Sequence, residues 1–435
     1  MQNILIEVFH YLMILFMTIY TYQSFSYFGK KTEEKRKKVV IRQNICLFSI
    51  HFFAYITEFL ITGNENLILL YGAQVVYFIL TITFFQIAYP EASKMLMSHM
   101  CMLLAIGFFM LTRLQFGMAL KQFIIVAGGT LLVSVIPYIM KKMKILRKMA
   151  WVYGVLGIVL LAIVLATAES TNGAKLFLSL GPISFQPSEF VKITFVFFVA
   201  AVFEQGTGFL QVLKTAIVAA CHVLLLVFSK DLGGALIFSL IYILMVYVAT
   251  KKSIYLFGGL LLGSGAAYIA YQLFDHVKTR VTAWIDPWSV IDTKGYQIAQ
   301  SLFAIGTGRW LGVGLYQGSP GQIPIVEQDF IFSAIVEELG GIVGICVILI
   351  CLGCLLLFLN VALQSKSNFY RLMALGLSCT YGIQVFLTIG GAMKFIPSTG
   401  VTLPLISYGK NSMLSTLIVF SIIQGLYILK GEKES

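Results

Sequence analysis

A carboxylate closes the longest polar segment of this chain. Asp329 ends the glycine-rich stretch 296–329, and the apolar run FIFSAIV follows it directly. Desolvation at the edge of an apolar run raises the pKa of a carboxyl, whereas a helix N-terminus lowers it. The sequence therefore leaves the sign of the shift open. Since an ionised carboxylate can act as a general base, we predict that Asp329 is the reactive group of a structured active-site loop.

The same loop carries groups that can bind a polar ligand. Gln297, Gln300 and Ser301 can donate or accept hydrogen bonds with sugar hydroxyls, and Arg280, upstream in the sequence, can pair with a phosphate or pyrophosphate. The recurring glycines allow a ligand to approach the backbone amides closely. For any one charged residue here, an ordinary solvated loop position is the alternative.

A second polar cluster lies in FQPSEFVKI, at 185–193. Glu189 and Lys192 are three residues apart and therefore share one face of a helix. Ionisable groups within a membrane segment usually face the interior of a helix bundle, which favours a polar entrance to a cavity. An ion pair that satisfies only itself fits the sequence equally well.

Two further clusters interrupt apolar segments. Asp231 in SKDLGGALIF stands where a helix begins, and a helix cap is the favoured interpretation. The segment FIPSTGVTLPLISYGKNSML, at 395–414, breaks the helical pattern at membrane depth, as binding sites for polar solutes often do. Lys410 in this segment can face an anionic ligand or extend to the membrane surface.

Composition indicates a membrane protein. The 435 residues are 59% hydrophobic and 11% charged, whereas soluble chains carry about 25% charge. The net charge of +12 lies mostly in short loops, which favours positive-inside membrane topology over nucleic-acid binding. The seven cysteines all lie in apolar segments, so no metal or redox site is predicted from them.

Apolar runs of about 20 residues recur along the chain and predict an all-α polytopic membrane protein with about thirteen spans. The basic runs KKTEEKRKK and KKMKILRK follow the first and fifth spans, so both are placed in the cytoplasm together with the tail 430–435. This orientation puts the large loop 275–330 outside. Residues 1–92 are predicted to be accessory helices, and 93–435 the functional core.

Taken together and in this order, the motifs resemble those of the SEDS family (shape, elongation, division and sporulation proteins, the FtsW/RodA/SpoVE group). The shared motifs are QPSE followed by Lys, DLG before a span, YQ..QS.FAIG.G...G.GL..G, DFIF...EELG and P.TG..LP..SYG. The resemblance covers about residues 95–430. It implies a core of about ten spans that matches the last ten here, with the first three as an extension.

The resemblance implies a peptidoglycan glycosyltransferase of the bacterial cytoplasmic membrane. Such an enzyme polymerises lipid II on the outer face and works with a class B penicillin-binding protein during elongation, division or sporulation. The essential outer-loop aspartate of the family falls on Asp329. The other motif positions, which we expect to bind substrate, fall on Gln186, Ser188, Glu189, Lys192, Asp231, Gln297, Gln300, Ser301, Ser407 and Tyr408. Arg280 and Lys410 complete the predicted substrate-binding set, and a divalent cation could assist although no ligand cluster is visible.

The chain also departs from the family pattern. Leu176 and Phe177 stand where Arg-Trp is usual, and Lys410 replaces the second glycine of SYGG. The segment before Asp329 lacks the usual Glu and His. Two alternatives therefore remain: a transporter or flippase of a lipid-linked sugar, although no internal repeat is visible, and a non-catalytic scaffold that binds a partner's transmembrane helix.

Overall fold

The computed structural model describes residues 2–142, 144–169, 174–180 and 183–429. These residues are almost entirely α-helical, which confirms the all-α prediction. The tail 430–435, placed in the cytoplasm above, lies outside them. The helices, in chain order, are α1 Gln2–Phe28, α2 Glu33–Thr62, α3 Asn66–Ala88, α4 Lys94–Leu114, α5 Phe116–Val133, α6 Ile136–Lys142, α7 Ala150–Thr167, α8 Pro187–Glu204, α9 Phe209–Phe228, α10 Leu232–Thr250, α11 Ser253–Leu273, α12 Asp275–Ile285, α13 Tyr296–Gly308, α14 Ile331–Leu339, α15 Gly341–Gln364, α16 Asn368–Ala392 and α17 Lys410–Leu429.

Within the described ranges, twelve helices are long and apolar enough to cross a membrane, against about thirteen predicted. The predicted span that is not among these twelve helices is 188–203. It forms α8, which has the required length but carries Glu189, Lys192 and Glu204. The structure confirms a polytopic helical membrane protein.

The segment 330–358, predicted as one span, is two helices. α14 ends at Leu339 and α15 begins at Gly341. Gly340 between them has a φ of 92°, and the backbone of Trp310 and Gly312 packs where a side chain would stand. An apolar run does not reveal such a break, because the cause is a backbone contact with a distant part of the loop.

The first of two compact units comprises residues 1–134, 280–357 and 385–413. At its centre lies α4, whose residues from Met95 to Thr112 are all buried. Gly107 lets the backbone of Ile406 approach α4 closely; a Cβ there would lie 2.7 Å from the carbonyl oxygen of Ile406. This contact ties the broken segment 393–409 to the centre of the unit.

The N-terminal helices belong to this first unit and pack on α4 through polar contacts as well as apolar ones. The Tyr20 hydroxyl of α1 lies 2.9 Å from Nδ1 of His99, and the Tyr55 hydroxyl of α2 lies 2.9 Å from the Thr112 hydroxyl. Buried polar groups require such partners. The division of the chain at 92/93 stays a prediction.

The second unit comprises residues 135–279, 358–384 and 414–435. In this unit α8 is largely buried, and α7, α9 and α10 pack against it. A short antiparallel pair, β1 Leu178–Leu180 with β2 Ile183–Phe185, leads into α8, and Leu178 pairs with Phe185. Pro187 then occupies the first turn of α8, where its missing N–H removes no helical hydrogen bond.

Candidate functional site

Asp329 lies just before α14, in the segment 323–330 that two backbone contacts hold in place. The backbone N–H of Tyr408 donates to the carbonyl of Glu327 over 2.8 Å, and the Ser407 hydroxyl donates to the carbonyl of Gln328. The half-buried carboxyl of Asp329 is thereby fixed against the segment 393–409. Ser407 and Tyr408, predicted from sequence, thus lie beside the predicted reactive carboxylate.

The surroundings of Asp329 determine the direction of its pKa shift, which the sequence left open. Burial raises the pKa of Asp329 to about 6; Arg280 opposes this shift, and Glu327 adds to it. Asp329 precedes the first helical residue of α14 by two positions, so the helix terminus is not the main influence. A carboxyl with this pKa is ionised at neutral pH and is a stronger base than an ordinary aspartate.

Arg280 and Asp329 converge on Gly400. A Cβ at Gly400 would lie 3.3 Å from Nη2 of Arg280 and 3.7 Å from Oδ2 of Asp329. The backbone of Gly400 has a φ of 73°, which glycine adopts readily. Nη1 of Arg280 also donates to the carbonyl of Ser398 over 3.2 Å. The predicted base and the predicted anion-binding cation are therefore close, at an exposed arginine that a ligand can reach.

Of the three predicted α13 residues, Ser301 is buried, and Gln297 and Gln300 are half-buried. The buried hydroxyl of Ser301 lies 2.6 Å from the hydroxyl of Ser333 and donates to the carbonyl of Ala392 over 2.7 Å, so it joins three segments of the unit. Gln297 donates to the carbonyl of Pro324 over 2.8 Å, and Gln300 is half-buried on the same helix. The helix α13 thus supports the segment that carries Asp329.

Gln122 of α5 supports the same site and was not anticipated. Its Nε2 donates to the carbonyl of Ser407 over 2.8 Å, and its Oε1 accepts from the N–H of Gly409 over 3.3 Å. Lys410, the first residue of α17, is exposed. Gln122 thus fixes the turn that brings Ser407 and Tyr408 to Asp329.

The remaining predicted residues form a separate cluster in the second unit. Nζ of Lys192 lies 2.7 Å from Oε2 of Glu189 and donates to Oε1 of Gln384 over 2.9 Å. The same Glu189 oxygen accepts from the Ser415 hydroxyl over 2.9 Å. Lys192 is only 4% exposed, so its charge is neutralised largely within the protein.

Next to this ion pair, Gln186 donates to the Ser188 hydroxyl over 3.3 Å, and Ser188 in turn bonds to the carboxyl of Asp231. Asp231 accepts from the N–H of Gly234 over 2.8 Å and so caps α10. Burial raises the pKa of Asp231, and the Gly234 bond opposes that shift. The predicted cap is observed at the start of α10, while the binding roles of these residues stay predictions.

Comparison with known proteins agrees with this geometry. The FtsW/RodA/SpoVE family model, described as cell cycle protein, matches residues 93–430. The chain belongs to this family.

Its curated relatives include the peptidoglycan glycosyltransferase RodA of Mycobacterium tuberculosis. That protein is 35% identical over 317 residues, which cover 68% of this chain and 67% of the relative. The probable peptidoglycan glycosyltransferase FtsW of Aliivibrio salmonicida is 32% identical over 283 residues, covering 62% of this chain and 70% of the relative. As an FtsW/RodA/SpoVE protein, the chain is a multi-pass protein of the bacterial cytoplasmic membrane.

A solved chain from a study of polymerization and crosslinking by a peptidoglycan synthase complex shares the fold. It superposes with a TM-score of 0.68 at 24% identity and covers 79% of this chain and 99% of that chain. This similarity agrees with the helical FtsW/RodA/SpoVE architecture described above.

Several residues near Asp329 were missed by sequence reasoning. Glu327 lies in the segment that departs from the family pattern, and Gly400 was noted only as part of the P.TG motif. No local signal reveals that Gly400 separates Arg280 from Asp329, since the three residues are far apart in sequence. A polar residue in an apolar span, such as Gln122, is the kind of signal that points to a buried partner.

The predicted divalent cation would need a cluster of side chains that can act as ligands. Among the described residues, no group of three or more His, Cys, Asp or Glu side chains could hold a metal ion. No cation site is therefore identified among the described residues, and the divalent cation stays a prediction.

Proposed function

We propose that this chain polymerises lipid II into glycan strands on the outer face of the membrane, with Asp329 as the general base. As an FtsW/RodA/SpoVE protein, it is a peptidoglycan glycosyltransferase. The observation that carries the proposal is the half-buried carboxyl of Asp329, with a pKa of about 6, beside Arg280 at Gly400. A base that is ionised at neutral pH and close to a cation suits a reaction between a hydroxyl and an anionic donor.

The proposed step is a displacement at the anomeric carbon of the donor sugar. The 4-hydroxyl oxygen of the acceptor bonds to that carbon, and its proton passes to Asp329. The bond between the carbon and the pyrophosphate oxygen breaks, and the electron pair leaves with undecaprenyl pyrophosphate. Removing the hydroxyl proton in the transition state typically accelerates such reactions by about 10² to 10⁴-fold.

Arg280 is the best-placed group to stabilise the pyrophosphate that leaves. It is exposed and lies near Asp329, so an anionic ligand can reach its guanidinium. Lys192 is less suited, because Glu189 and Gln384 already bind its ammonium group. Lys410 is exposed at the start of α17 and stays a second candidate for the anion. Gln297 and Gln300 of α13 are the proposed contacts for sugar hydroxyls.

The proposed partner is a class B penicillin-binding protein that crosslinks the strands. The support comes from the similar solved chain, whose study describes polymerization and crosslinking by one peptidoglycan synthase complex. Polymerisation and crosslinking act successively on the same strand, so a complex keeps the product near the second enzyme.

The experiment is polymerisation of labelled lipid II by the purified protein, alone and with a cognate class B penicillin-binding protein. A ladder of glycan products from the wild type supports the proposal. In parallel, the protein is placed in vesicles with labelled lipid II to measure translocation. Translocation without any glycan product would instead establish a flippase, and neither activity from folded protein with its partner would favour a scaffold.

A further inference from the structure

No hydrogen bond among the described residues explains why the carboxyl of Glu58 is buried. Glu58 lies in α2 of the N-terminal helices and is fully buried, and neither carboxyl oxygen has a hydrogen-bond partner among the described residues. A buried carboxyl without partners lowers the stability of a fold, and ionisable groups in membrane helices usually have a function. The charged groups near it are Arg113 and Glu338.

Arg113 connects this carboxyl to the outer loop. Its Nε lies 2.8 Å from Oε1 of Glu338, and its Nη2 donates to the carbonyl of Gly318 over 3.2 Å. Its guanidinium carbon also lies 4.3 Å from the ring centre of Tyr316. Arg113 of α4 therefore binds the loop segment 309–319, and the Glu58 carboxyl of α2 lies close enough to act electrostatically on Arg113 and Tyr316.

A second N-terminal residue reaches the same segment. Nε2 of His10 in α1 donates to the carbonyl of Leu311 over 2.7 Å, across 301 positions of sequence. His10 is 6% exposed. The segment 309–319 is therefore held from α1 by His10 and from α4 by Arg113, on which Glu58 of α2 acts electrostatically.

The segment 309–319 is itself bound to α14. The N–H groups of Val313 and Gly314 donate to the carbonyls of Glu337 and Glu338 over 3.0 and 2.9 Å, and the N–H of Ser319 donates to Oε1 of Glu337 over 2.9 Å. Asp329 precedes α14 by one residue, Phe330. A shift of the segment therefore shifts the helix that follows the reactive carboxylate.

We propose that the N-terminal helices α1 and α2 position the Asp329 region, with His10 and Glu58 as the positioning residues that hold the segment 309–319 against α14. Neither residue touches substrate in this account. The inference about activity rests on the proposed glycosyltransferase function, whereas the inference about the segment does not. Under this proposal, the N-terminal extension has a role in the reaction as well as in packing.

Amide hydrogen exchange of the full-length protein in lipid nanodiscs tests the positioning directly. His10→Phe keeps an aromatic ring but removes the donor, and Glu58→Gln keeps the shape but removes the carboxyl. His10→Phe is expected to raise exchange at Val313 and Gly314 by about 10-fold, the effect of losing about one hydrogen bond's stabilisation. Glu58→Gln removes the carboxyl that acts on Arg113 and should also raise exchange at these two amides. His10→Gln, which restores a donor, should return exchange towards the wild-type rate.

The matched control is His51→Phe. His51 is also buried in α2, but its Nε2 bonds to Oε1 of Gln74 in α3 over 2.9 Å. This variant should lower the melting temperature without faster exchange at Val313 and Gly314. Wild-type exchange at these amides in both His10→Phe and Glu58→Gln would overturn the proposal, as would an equal rise in His51→Phe.

Polymerisation kinetics give the second measurement. His10→Phe and Glu58→Gln should lower kcat with little change in the KM for lipid II, because they displace the base and not the substrate contacts. An unchanged kcat despite faster exchange would overturn the link to the reaction. If the wild type does not polymerise lipid II at all, the proposed function fails, and the exchange experiment still decides whether the segment is held.

Discussion

Arg280 of α12 and Asp329, just before α14, face the same glycine, Gly400. A Cβ at Gly400 would lie within 3.7 Å of both the guanidinium and the carboxylate. The proposed reaction requires a base for the acceptor hydroxyl, which is Asp329, and a cation for the departing pyrophosphate, which is Arg280. Arg280 lowers the pKa of Asp329 and Glu327 raises it, so removing either charge should shift this pKa in opposite directions.

The pH profile of polymerisation should have an acid limb with an apparent pKa of about 6, because Asp329 must be ionised to accept a proton. Glu327 raises the pKa of Asp329, so Glu327→Gln should move this limb to lower pH. Arg280 lowers that pKa, so Arg280→Gln should move the limb to higher pH. The rates are measured from pH 5 to 8 at saturating lipid II.

The two shifts must have opposite signs. The control is Asp292→Asn, which removes an exposed carboxylate of the same loop and should leave the limb in place. If Glu327→Gln and Arg280→Gln move the limb in the same direction, or if neither moves it, Asp329 is not the group that titrates.

Gly400→Ala should lower kcat by more than about 10-fold. The left-handed backbone at a φ of 73° costs about 1 kcal/mol for alanine, and the added methyl group would stand 3.3 Å from Arg280. The comparison is Gly321→Ala, in the outer loop 275–330, where a Cβ would meet no atom within 4 Å. Equal activity in the two variants would show that the spacing at Gly400 is not needed.

The sequence alone predicted the parts of this site that depend on local patterns. Apolar runs placed the helices, and Asp231 was expected to cap a helix. The segment 395–414 was expected to break the helical pattern, and the observed break between α16 and α17 is 393–409. The family motifs singled out Asp329 as the reactive group, and its catalytic role stays a prediction.

The parts that sequence could not predict arise from contacts between distant segments. The pKa of Asp329 is raised mainly by burial, lowered by Arg280 and raised further by Glu327. The break at Gly340 results from the packing of 310–312 against it. His10 forms a hydrogen bond with Leu311, which lies 301 positions later in the sequence. No local sequence pattern indicates a partner so far away.

The Glu189–Lys192 pair offers a test of structure in the second unit. Lys192→Met leaves Glu189 without its cation in a poorly solvated place and should lower stability by about 3 kcal/mol. The double variant Glu189→Gln, Lys192→Met should lose clearly less than the sum of the two single variants. Melting temperatures in detergent with and without lipid II measure the coupling. Simple additivity would mean that the two charges do not interact.

The same variants address substrate binding. If Lys192 only neutralises Glu189, the double variant should keep its KM for lipid II. A KM raised by about 10-fold or more in a stable double variant would instead show that Lys192 contacts the pyrophosphate.

The most direct measurement of the central claim is the glycan product formed from labelled lipid II by Asp329→Asn, beside the wild type and Asp292→Asn. Asparagine keeps the shape of the side chain but cannot accept the proton, so kcat should fall by about 10² to 10⁴-fold with melting temperature retained. Asp292→Asn should form wild-type ladders. Wild-type ladders from Asp329→Asn would contradict the assignment of Asp329 as the base.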